Sequence, residues 1–347
     1  MEYNYKIDTT ILNILSRFYE LHGALYASLH LLPGDIQKEL NEVTSELAAF
    51  GAVIKNTNLM REVAMSLDTS LIKNLLPAES RSYYKLYLNQ LHEYTSFDPE
   101  EHTFTVDSVI AMHNEVLGVK DGAHLRTAKK RLSASYVEDG ITYSVRSEVK
   151  TPPEEILPKL ESFITWLNEH FDSQNPIVLA AITYFNIAAI HPFQRANGRM
   201  SKLLSRRVLY AHGVDPQLML AIDDYFLNHQ HYYYKVIEKC IETGDITDWI
   251  EFYSKAMLYA VMQTAELLCK LSGGAIDIRR QRYVALTPRE MRALRIIMNE
   301  NNISGAAVAR KLHTTRQNVH EILKSLIDKE LITKTGQNTG TRYSFVS

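Results

Sequence analysis

Cysteine is scarce in this chain, which has only Cys240 and Cys269 among its 347 residues. Two cysteines cannot form a disulfide framework, so a disulfide-stabilised secreted scaffold is excluded and a reducing cytoplasm is favoured. The chain also lacks a run of about 18 apolar residues, which argues against a membrane-spanning helix, and its polar N-terminus lacks the pattern of a signal peptide. The sequence therefore predicts a cytoplasmic protein without a membrane partner.

Net charge is nearly absent overall, but the charges are unevenly placed. The whole chain has a formal net charge of −2, whereas residues 275–347 carry 13 Lys and Arg against 6 Asp and Glu. A mildly acidic body therefore precedes a basic C-terminal region. Clustered positive charge favours contact with nucleic acid, so DNA is a candidate partner of the C-terminal region and not of the body.

The most informative segment follows an apolar run. Residues 176–190 predict a buried helix that Asn175 caps, and Pro192 disfavours helical geometry at the residue before it. A short loop then leads into a second amphipathic helix, whose first N–H groups lack partners within the helix. This order places His191 beside backbone amides that suit an anion. The pattern predicts phosphate chemistry with His191 as the base.

The segment after this helix resembles the signature loop of the Fic/Doc family, whose usual pattern is His-Pro-Phe-x-Asp/Glu-Gly-Asn-Gly-Arg-x-x-Arg. Six residues match the pattern: His191, Pro192, Phe193, Asn197, Gly198 and Arg199. Three positions differ, because Arg195, Ala196 and Lys202 stand where the family has an acid, a glycine and an arginine. The resemblance implies a mainly helical core that transfers AMP from ATP to a hydroxyl group of a target protein.

The resemblance also implies roles for these residues. His191 is expected to take the proton of the attacking hydroxyl, and ATP is the expected substrate. The candidate nucleotide-binding residues are Arg195, Ala196, Asn197, Gly198, Arg199 and Lys202. Loop amides are expected to hold the phosphate oxygens, while Asn197 orients the loop and Arg199 meets the outer phosphates.

Arg195 changes the expectation for a metal ion. The family acid at this position binds Mg²⁺, whereas an arginine cannot ligate a metal ion and repels it. We therefore expect no metal ligand in the loop, and two interpretations stay open. Arg195 replaces part of the metal's charge, or the site binds a phosphate compound without catalysis. Arg206, one turn after Lys202, is predicted to stand in for the missing arginine.

A second basic replacement occurs nearer the N-terminus. Many Fic proteins carry an inhibitory helix with a Ser/Thr-x-x-x-Glu-Gly/Asn pattern, and by chain position residues 45–57 resemble that helix. Lys55 stands in place of its glutamate, before Asn56. Together with Arg195, Lys55 predicts a pocket that is more cationic than usual and suits a polyanion without Mg²⁺. The alternative is that Lys55 is a solvated surface residue.

A β-hairpin is predicted upstream of the loop. Asp139 and Gly140 lie between two alternating segments, which is a strong signal for a two-residue hairpin turn. In the Fic resemblance this hairpin is the flap that aligns the target peptide by strand addition. Its candidate target-binding residues are Tyr136, Val137 and Tyr143. The identity of the protein target is not specified by the sequence.

The basic C-terminal region resembles a winged helix-turn-helix domain. Apolar spacing and caps predict helices over 288–300, 304–312 and 316–329, followed by two strands around residues 336–340. The third helix and the wing offer side chains that suit base edges and phosphates. The candidate DNA-binding residues are Arg316, Gln317, Asn318, His320, Lys334 and Arg342. A protein-docking or dimerisation role of this domain is the alternative.

The predicted fold class is mainly α, with a Fic-type helical core, a small β-hairpin flap and a C-terminal winged-helix domain. The expected regions are an N-terminal helical extension (1–103), the core (104–270), a linker with a glycine hinge at 272–274 (271–284) and the winged-helix domain (285–347). Two functions stay open: a protein AMP transferase, or a catalytically silent sensor of a phosphate ligand that regulates through DNA. A homodimer is compatible with either.

Overall fold

The computed structural model describes residues 2–54, 63, 69–94, 103–119, 125–138 and 141–346. The described chain is mainly helical with three short antiparallel strand pairs, which confirms the predicted fold class. The helices are α1 (Thr9–Leu29), α2 (Gly34–Gly51), α3 (Ser70–Leu75), α4 (Arg81–Tyr94), α5 (Val106–Leu117), α6 (Pro153–His170), α7 (Pro176–Ile190), α8 (Asn197–Ala211), α9 (Asp223–Asn228), α10 (Gln230–Thr243), α11 (Thr247–Leu271), α12 (Pro288–Asn299), α13 (Gly305–Lys311) and α14 (Arg316–Asp328). The strands are β1 (Arg131–Glu138), β2 (Ile141–Glu148), β3 (Ile276–Asp277), β4 (Arg282–Tyr283), β5 (Ile332–Thr335) and β6 (Arg342–Phe345).

The chain divides into two compact units. Unit 1 comprises Met1–Phe18 and Val43–Ala260, and unit 2 comprises Tyr19–Glu42 and Val261–Ser347. The helices α1, α2 and α11 contribute residues to both units. Within the described ranges, none of these or the other helices is long and apolar enough to cross a lipid bilayer.

The core of unit 1 is built around α7. This helix is buried on nearly every side because almost all of its residues are apolar, and α8 packs along it. Asn175 caps α7 as predicted, because its Oδ1 accepts from the N–H groups of Ile177 (3.0 Å) and Val178 (3.4 Å). The helix ends before His191, which has a left-handed backbone. The predicted helix over 176–190 is thus confirmed at both ends.

The strands β1 and β2 form the predicted hairpin. They pair antiparallel from Arg131 with Glu148 at the open end to Glu138 with Ile141 at the closed end. The two residues between Glu138 and Ile141, the predicted turn, lie outside the described part of the chain. The N–H of Val149 donates to the carbonyl of Lys130 (2.9 Å), so the hydrogen bonding between the two strands continues one residue beyond Arg131 and Glu148.

Unit 2 contains the predicted winged-helix arrangement of α12, α13, α14, β5 and β6. Side-chain caps begin each of the three helices, since Thr287, Ser304 and Thr315 accept from backbone N–H groups of the first turn. The strands β5 and β6 pair antiparallel, and Ile303 forms a bridge with Tyr343 of β6. The three predicted helices therefore form within one or two residues of their expected bounds.

The glycine turn before the winged helix packs against residues of unit 2. Gly273 and Gly274 have φ angles of 63° and 72°. A Cβ at Gly273 would lie 2.7 Å from Leu294 Cδ2, and one at Gly274 would lie 2.9 Å from Phe345 Cζ. Glycine is required here by both conformation and contact. The following residues form the short pair of β3 and β4.

Candidate active site

His191 lies where α7 meets the loop. Its φ of 52° and ψ of 58° are uncommon for a residue with a side chain. The N–H of His191 donates to the Ile187 carbonyl (3.0 Å), and the His191 carbonyl accepts from Arg126 Nε (2.8 Å). His191 is among the residues that line a cleft of about 250 Å³. The histidine therefore borders a space in which a ligand fits.

The imidazole of His191 is neutral at physiological pH. Burial lowers its pKa to about 4, a hydrogen bond to the Ala188 carbonyl opposes that shift, and the charges of Arg126 and Lys130 support it. The hydrogen bond requires an N–H on one ring nitrogen, so the other nitrogen carries the lone pair. A neutral imidazole that lines a cleft has the protonation state that a general base needs.

We expect the reaction at this site to keep its rate in mild acid. Because the pKa of His191 is about 4 and not 6.5, the base stays unprotonated as the pH falls through 6.5. Values of kcat/KM measured from about pH 5 to about pH 8 should therefore show no acid limb near neutrality. An acid limb with an apparent pKa near that of free histidine would contradict this assignment of the base.

The loop after His191 is fixed from the inside by two side chains. The Phe193 N–H donates to Asn197 Oδ1 (2.9 Å), and Asn197 Nδ2 donates to the Phe193 carbonyl (2.7 Å). His113 of α5 stacks on the ring of Phe193 with centroids 3.7 Å apart, and its Nε2 donates to the carbonyl of Arg195 (2.9 Å). These bonds preorganise the loop backbone before any ligand arrives.

The loop joins α8 at Ala196, which has a left-handed backbone with φ of 66°. The first N–H groups of α8 have no partner within the helix and form the positive end of its dipole. Gly198 lies in this first turn and lines the cleft, and a Cβ built there would have no described atom within 4 Å. Its φ is not left-handed, so neither packing nor conformation requires glycine. Open space here suits close approach of an anionic ligand to the backbone.

Three cations lie in the loop or next to it. Arg195 is exposed, and Lys130 Nζ donates to the Gln194 carbonyl (3.0 Å). The guanidinium of Arg199 lies 4.3 Å from the centroid of the Tyr83 ring, and its Nη1 is buried without a hydrogen-bond partner among the described residues. A buried guanidinium N–H without an acceptor is costly, so an anion that accepts from it would be stabilised.

The two basic residues farther along α8 are already engaged. Lys202 Nζ forms an ion pair with the carboxylate of Asp223, which is fully buried. A phosphate would therefore have to share Lys202 with Asp223. The prediction that Arg206 replaces the missing arginine is wrong, because its side chain is 1% exposed and Nη2 contacts the Leu218 carbonyl (2.9 Å) and Asp215 (3.5 Å).

The cleft beside His191 is lined mainly by apolar and aromatic groups from α7, the hairpin and α10. The lining side chains other than His191 include Leu132, Val145, Val149, Ala188, Ala189, Tyr233, Tyr234, Ile237 and Ile241. An apolar cleft with aromatic faces suits a planar ring, because the ring buries both faces and keeps its edges for polar contacts.

The hairpin borders this cleft, and its register pairs Tyr136 with Tyr143. The backbone of Tyr136 and Val137 is described, whereas their side chains lie outside the described part of the structure. The ring of Tyr143 is half-buried and lies 4.7 Å from the ring of His231 at the start of α10. One of the three predicted flap residues is thus connected to the helix that forms the other side of the cleft.

The side chains of the loop do not fit Mg²⁺. The resemblance implies a carboxylate at position 195, and the guanidinium of Arg195 has no lone pair to offer a metal ion. Two carboxylates line the cleft, but Glu148 and Glu238 belong to β2 and α10 and not to the loop. In the described ranges no three His, Cys, Asp or Glu side chains are grouped as metal ligands. Lys55, which is the other basic replacement, and Asn56 after it lie outside the described residues.

Most predicted DNA-binding residues are at the surface of unit 2. The exposed ones are Arg316, Gln317, His320 and Lys334. Asn318 and Arg342 are half-buried, and Asn318 Nδ2 donates to Thr314 Oγ1 (3.2 Å). A hollow of about 450 Å³ beside the start of α14 is also lined by Arg310 and His313, which the sequence did not single out.

Comparison with known families matches two parts of the chain. A family model described as the Fic/DOC family matches residues 103–209, and one described as the MarR family matches residues 286–342. Both resemblances drawn from the sequence are thereby confirmed. The first match contains His113, Arg126 and the whole loop, and the second contains α12 to α14 with β5.

Curated proteins are similar to part of this chain. A protein adenylyltransferase Fic of Nematostella vectensis is 28% identical over 155 residues, which cover 44% of this chain and 32% of that protein. The protein adenylyltransferase fic-1 of Caenorhabditis briggsae is 25% identical over 179 residues, or 51% of this chain and 32% of that protein. The chain thus spans about a third of the length of these curated relatives.

Solved structures show the same fold at low identity. A Fic family protein from Desulfovibrio desulfuricans G20 superimposes with a TM-score of 0.62 at 17% identity, over 100% of this chain and 98% of that one. Fic-1 of Caenorhabditis elegans superimposes with a TM-score of 0.54 at 17% identity, over 74% of this chain and 73% of that one.

Proposed function

Because the chain carries a Fic/DOC domain followed by a MarR-family winged-helix domain, we propose that it is a protein adenylyltransferase. It moves AMP from ATP to a Ser, Thr or Tyr hydroxyl of a target protein. The observation that carries the proposal is the neutral imidazole of His191 beside the helix start at Gly198, both of which line one cleft. The curated relatives named as adenylyltransferases support the same reaction class.

The nucleotide occupies the site in two parts. Its base lies in the apolar cleft against Tyr233 and Tyr234, where aromatic and aliphatic side chains exclude water. Its phosphates lie at the start of α8, where the first N–H groups and Gly198 leave room for oxygen atoms. His191 lines the same cleft as Gly198. A target hydroxyl that approaches along the hairpin therefore meets both the imidazole of His191 and the phosphates.

The chemical step is a displacement at the α-phosphorus of ATP. The target hydroxyl oxygen forms a bond to that phosphorus, the bond to the bridging oxygen of the β-phosphate breaks, and pyrophosphate leaves. The lone-pair nitrogen of His191 accepts the hydroxyl proton. Loop amides and Arg199 stabilise the charge that develops on the phosphate oxygens.

The cations of the chain itself offset the phosphate charge in this proposal. Arg195 stands at the loop position where the resemblance implies a metal ligand, Lys130 donates to the Gln194 carbonyl of the loop, and Arg199 follows the loop in the first turn of α8. Lys202 contributes only if a phosphate competes with Asp223 for its ammonium group. Nucleotide binding is therefore proposed to need no divalent cation.

We expect ATP to bind the full chain equally well in EDTA and in Mg²⁺, within about threefold in calorimetric Kd. Arg195→Asp removes a positive charge and adds a carboxylate, so it should weaken binding in EDTA by about tenfold, and Mg²⁺ should recover the loss. Arg310→Asp makes the same charge change on an exposed residue of unit 2 and should leave ATP binding unchanged. Binding by the unaltered chain that requires Mg²⁺ would contradict the proposal.

A second candidate function is a DNA-binding regulator whose Fic core senses a phosphate ligand without transferring AMP. The ion pair of Lys202 with buried Asp223 favours it, because that pair withholds one cation from the phosphates. The exposed first turn of α14 and the basic hollow beside it supply the surface that the regulator would use on DNA.

We expect Arg316→Ala to weaken binding of the full chain to a mixed-sequence DNA duplex because it removes one phosphate contact. The slope of log affinity against log salt should fall by about 1 in gel-shift or anisotropy titrations. Arg292→Ala, which removes an exposed arginine from α12, serves as the matched control and should leave the slope unchanged. Equal slopes for both variants would assign the winged helix to another partner.

A further inference from the structure

Arg126 is a buried cation whose partners are all backbone carbonyls. Its side chain is 4% exposed, and Nε donates to the carbonyl of His191 (2.8 Å). Nη1 donates to Ala128 (3.0 Å), while Nη2 donates to Thr151 and, at 3.4 Å, to Ile190. No carboxylate in the described ranges pairs with it. A guanidinium kept away from water without a counter-ion is costly, so this arrangement calls for a role beyond stability.

The four carbonyls belong to three places that the proposed reaction needs together. Two are at the end of α7, including that of His191 itself. The Ala128 carbonyl lies just before β1, and the Thr151 carbonyl lies just after β2. One side chain therefore connects both ends of the hairpin to the residue that carries the base.

The same residue also fixes the backbone beside the loop. The N–H of Arg126 donates to the Pro192 carbonyl (2.8 Å), and Leu125 forms an antiparallel bridge with Phe193. His191 holds a left-handed conformation that is unfavourable for a residue with a side chain. Bonds to the carbonyls before, at and after His191 hold this conformation in place.

We propose that Arg126 is a positioning residue that keeps the imidazole of His191 and the β1–β2 hairpin in one fixed relation. The proposal rests on the proposed transfer function, in which the hydroxyl must meet the imidazole and the phosphorus at once. Arginine suits the role because its planar fork donates in several fixed directions, whereas lysine carries a single ammonium group.

The test uses Arg126→Lys, which keeps the charge, and Arg126→Gln, which removes it. Both should lower kcat for AMP transfer by about tenfold to a hundredfold, with KM for ATP changed by less than about threefold. NMR titration of the His191 ring should give an unchanged pKa in the lysine variant and a higher pKa in the glutamine variant. Amide hydrogen exchange of the hairpin strands, of His191 and of Phe193 should accelerate in both.

Arg81→Gln is the matched control, because Arg81 is an exposed arginine at the start of α4 that neither belongs to the hairpin nor lines the cleft. It should leave kcat, the His191 pKa and hydrogen exchange unchanged. The proposal would be overturned if the Arg126 variants lost AMP transfer only in proportion to the fraction of protein that is unfolded, while amide hydrogen exchange and the His191 resonances stayed unaltered. If the unaltered chain transfers no AMP, the exchange and NMR results still decide whether Arg126 orders His191 and the hairpin. If the glutamine variant does not fold, the kcat and the hydrogen exchange of the lysine variant still test whether Arg126 positions His191 and the hairpin.

Discussion

Replacing His191 with alanine should lower AMP transfer by about 10²-fold to 10⁴-fold, the usual contribution of a general base. The affinity for ATP should change little, because the cleft lining, the loop amides and Arg199 stay in place. The loss should therefore appear in kcat and not in the Kd of ATP. Initial rates of target labelling and calorimetry on the same preparation measure the two quantities separately.

His92→Ala provides the matched control, since His92 is an exposed histidine of α4 that does not line the cleft. It should leave both rate and affinity unchanged. If His191→Ala kept its rate within about threefold of the unaltered chain, the imidazole would not be the base. If the variant lost ATP binding as well, His191 would serve the ligand and not the proton transfer.

Substitution of Gly198 should separate stability from binding. Alanine at this helical position raises helix propensity by up to about 1 kcal/mol, and its Cβ meets no described atom of the protein. In the proposed site the same Cβ projects where the phosphates would approach the backbone, so ATP affinity should fall by about tenfold. Gly198→Val, with a larger side chain, should abolish binding within the range of calorimetry. Thermal unfolding and calorimetry of each variant check the opposed effects.

Gly23→Ala is the matched control for this pair of effects. Gly23 is also helical, and a Cβ there meets no described atom within 4 Å, but this residue of α1 is not among those that line the cleft. It should stabilise the chain without changing ATP affinity. If Gly198→Val bound ATP as tightly as the unaltered chain, the nucleotide would not lie against the start of α8.

The fold near the loop was predictable because its signals are local. Asn175 begins α7, Pro192 ends it, and the apolar run between them fits only a buried helix, as the structure has it. The caps Ser304 and Thr315 and the hairpin were predictable for the same reason. The likeness of the loop to a known pattern supplied the candidate reaction, which periodicity alone does not contain.

The partners that fix the site were not predictable from the sequence, because they come from far along the chain. Arg126 lies 65 residues from His191, and His113 lies 82 residues from Arg195. Neither residue has a local pattern that indicates which carbonyl groups its side chain binds. The error on Arg206 has the same origin, since helical spacing placed it near Lys202 but gave no sign that Asp215 and Leu218 would bury it.

The proposed function requires AMP, and not the terminal phosphate, to move from ATP to a hydroxyl under the action of His191. The most direct measurement is the labelling of protein when the full chain is incubated with a cell extract that contains the target. One reaction receives ATP labelled on the α-phosphate, and a parallel reaction receives ATP labelled on the γ-phosphate. We expect protein-bound label from the α-position only, in EDTA as well as in Mg²⁺, and none with His191→Ala. Label from the γ-position, or no label from either position with the unaltered chain, would contradict the proposed function.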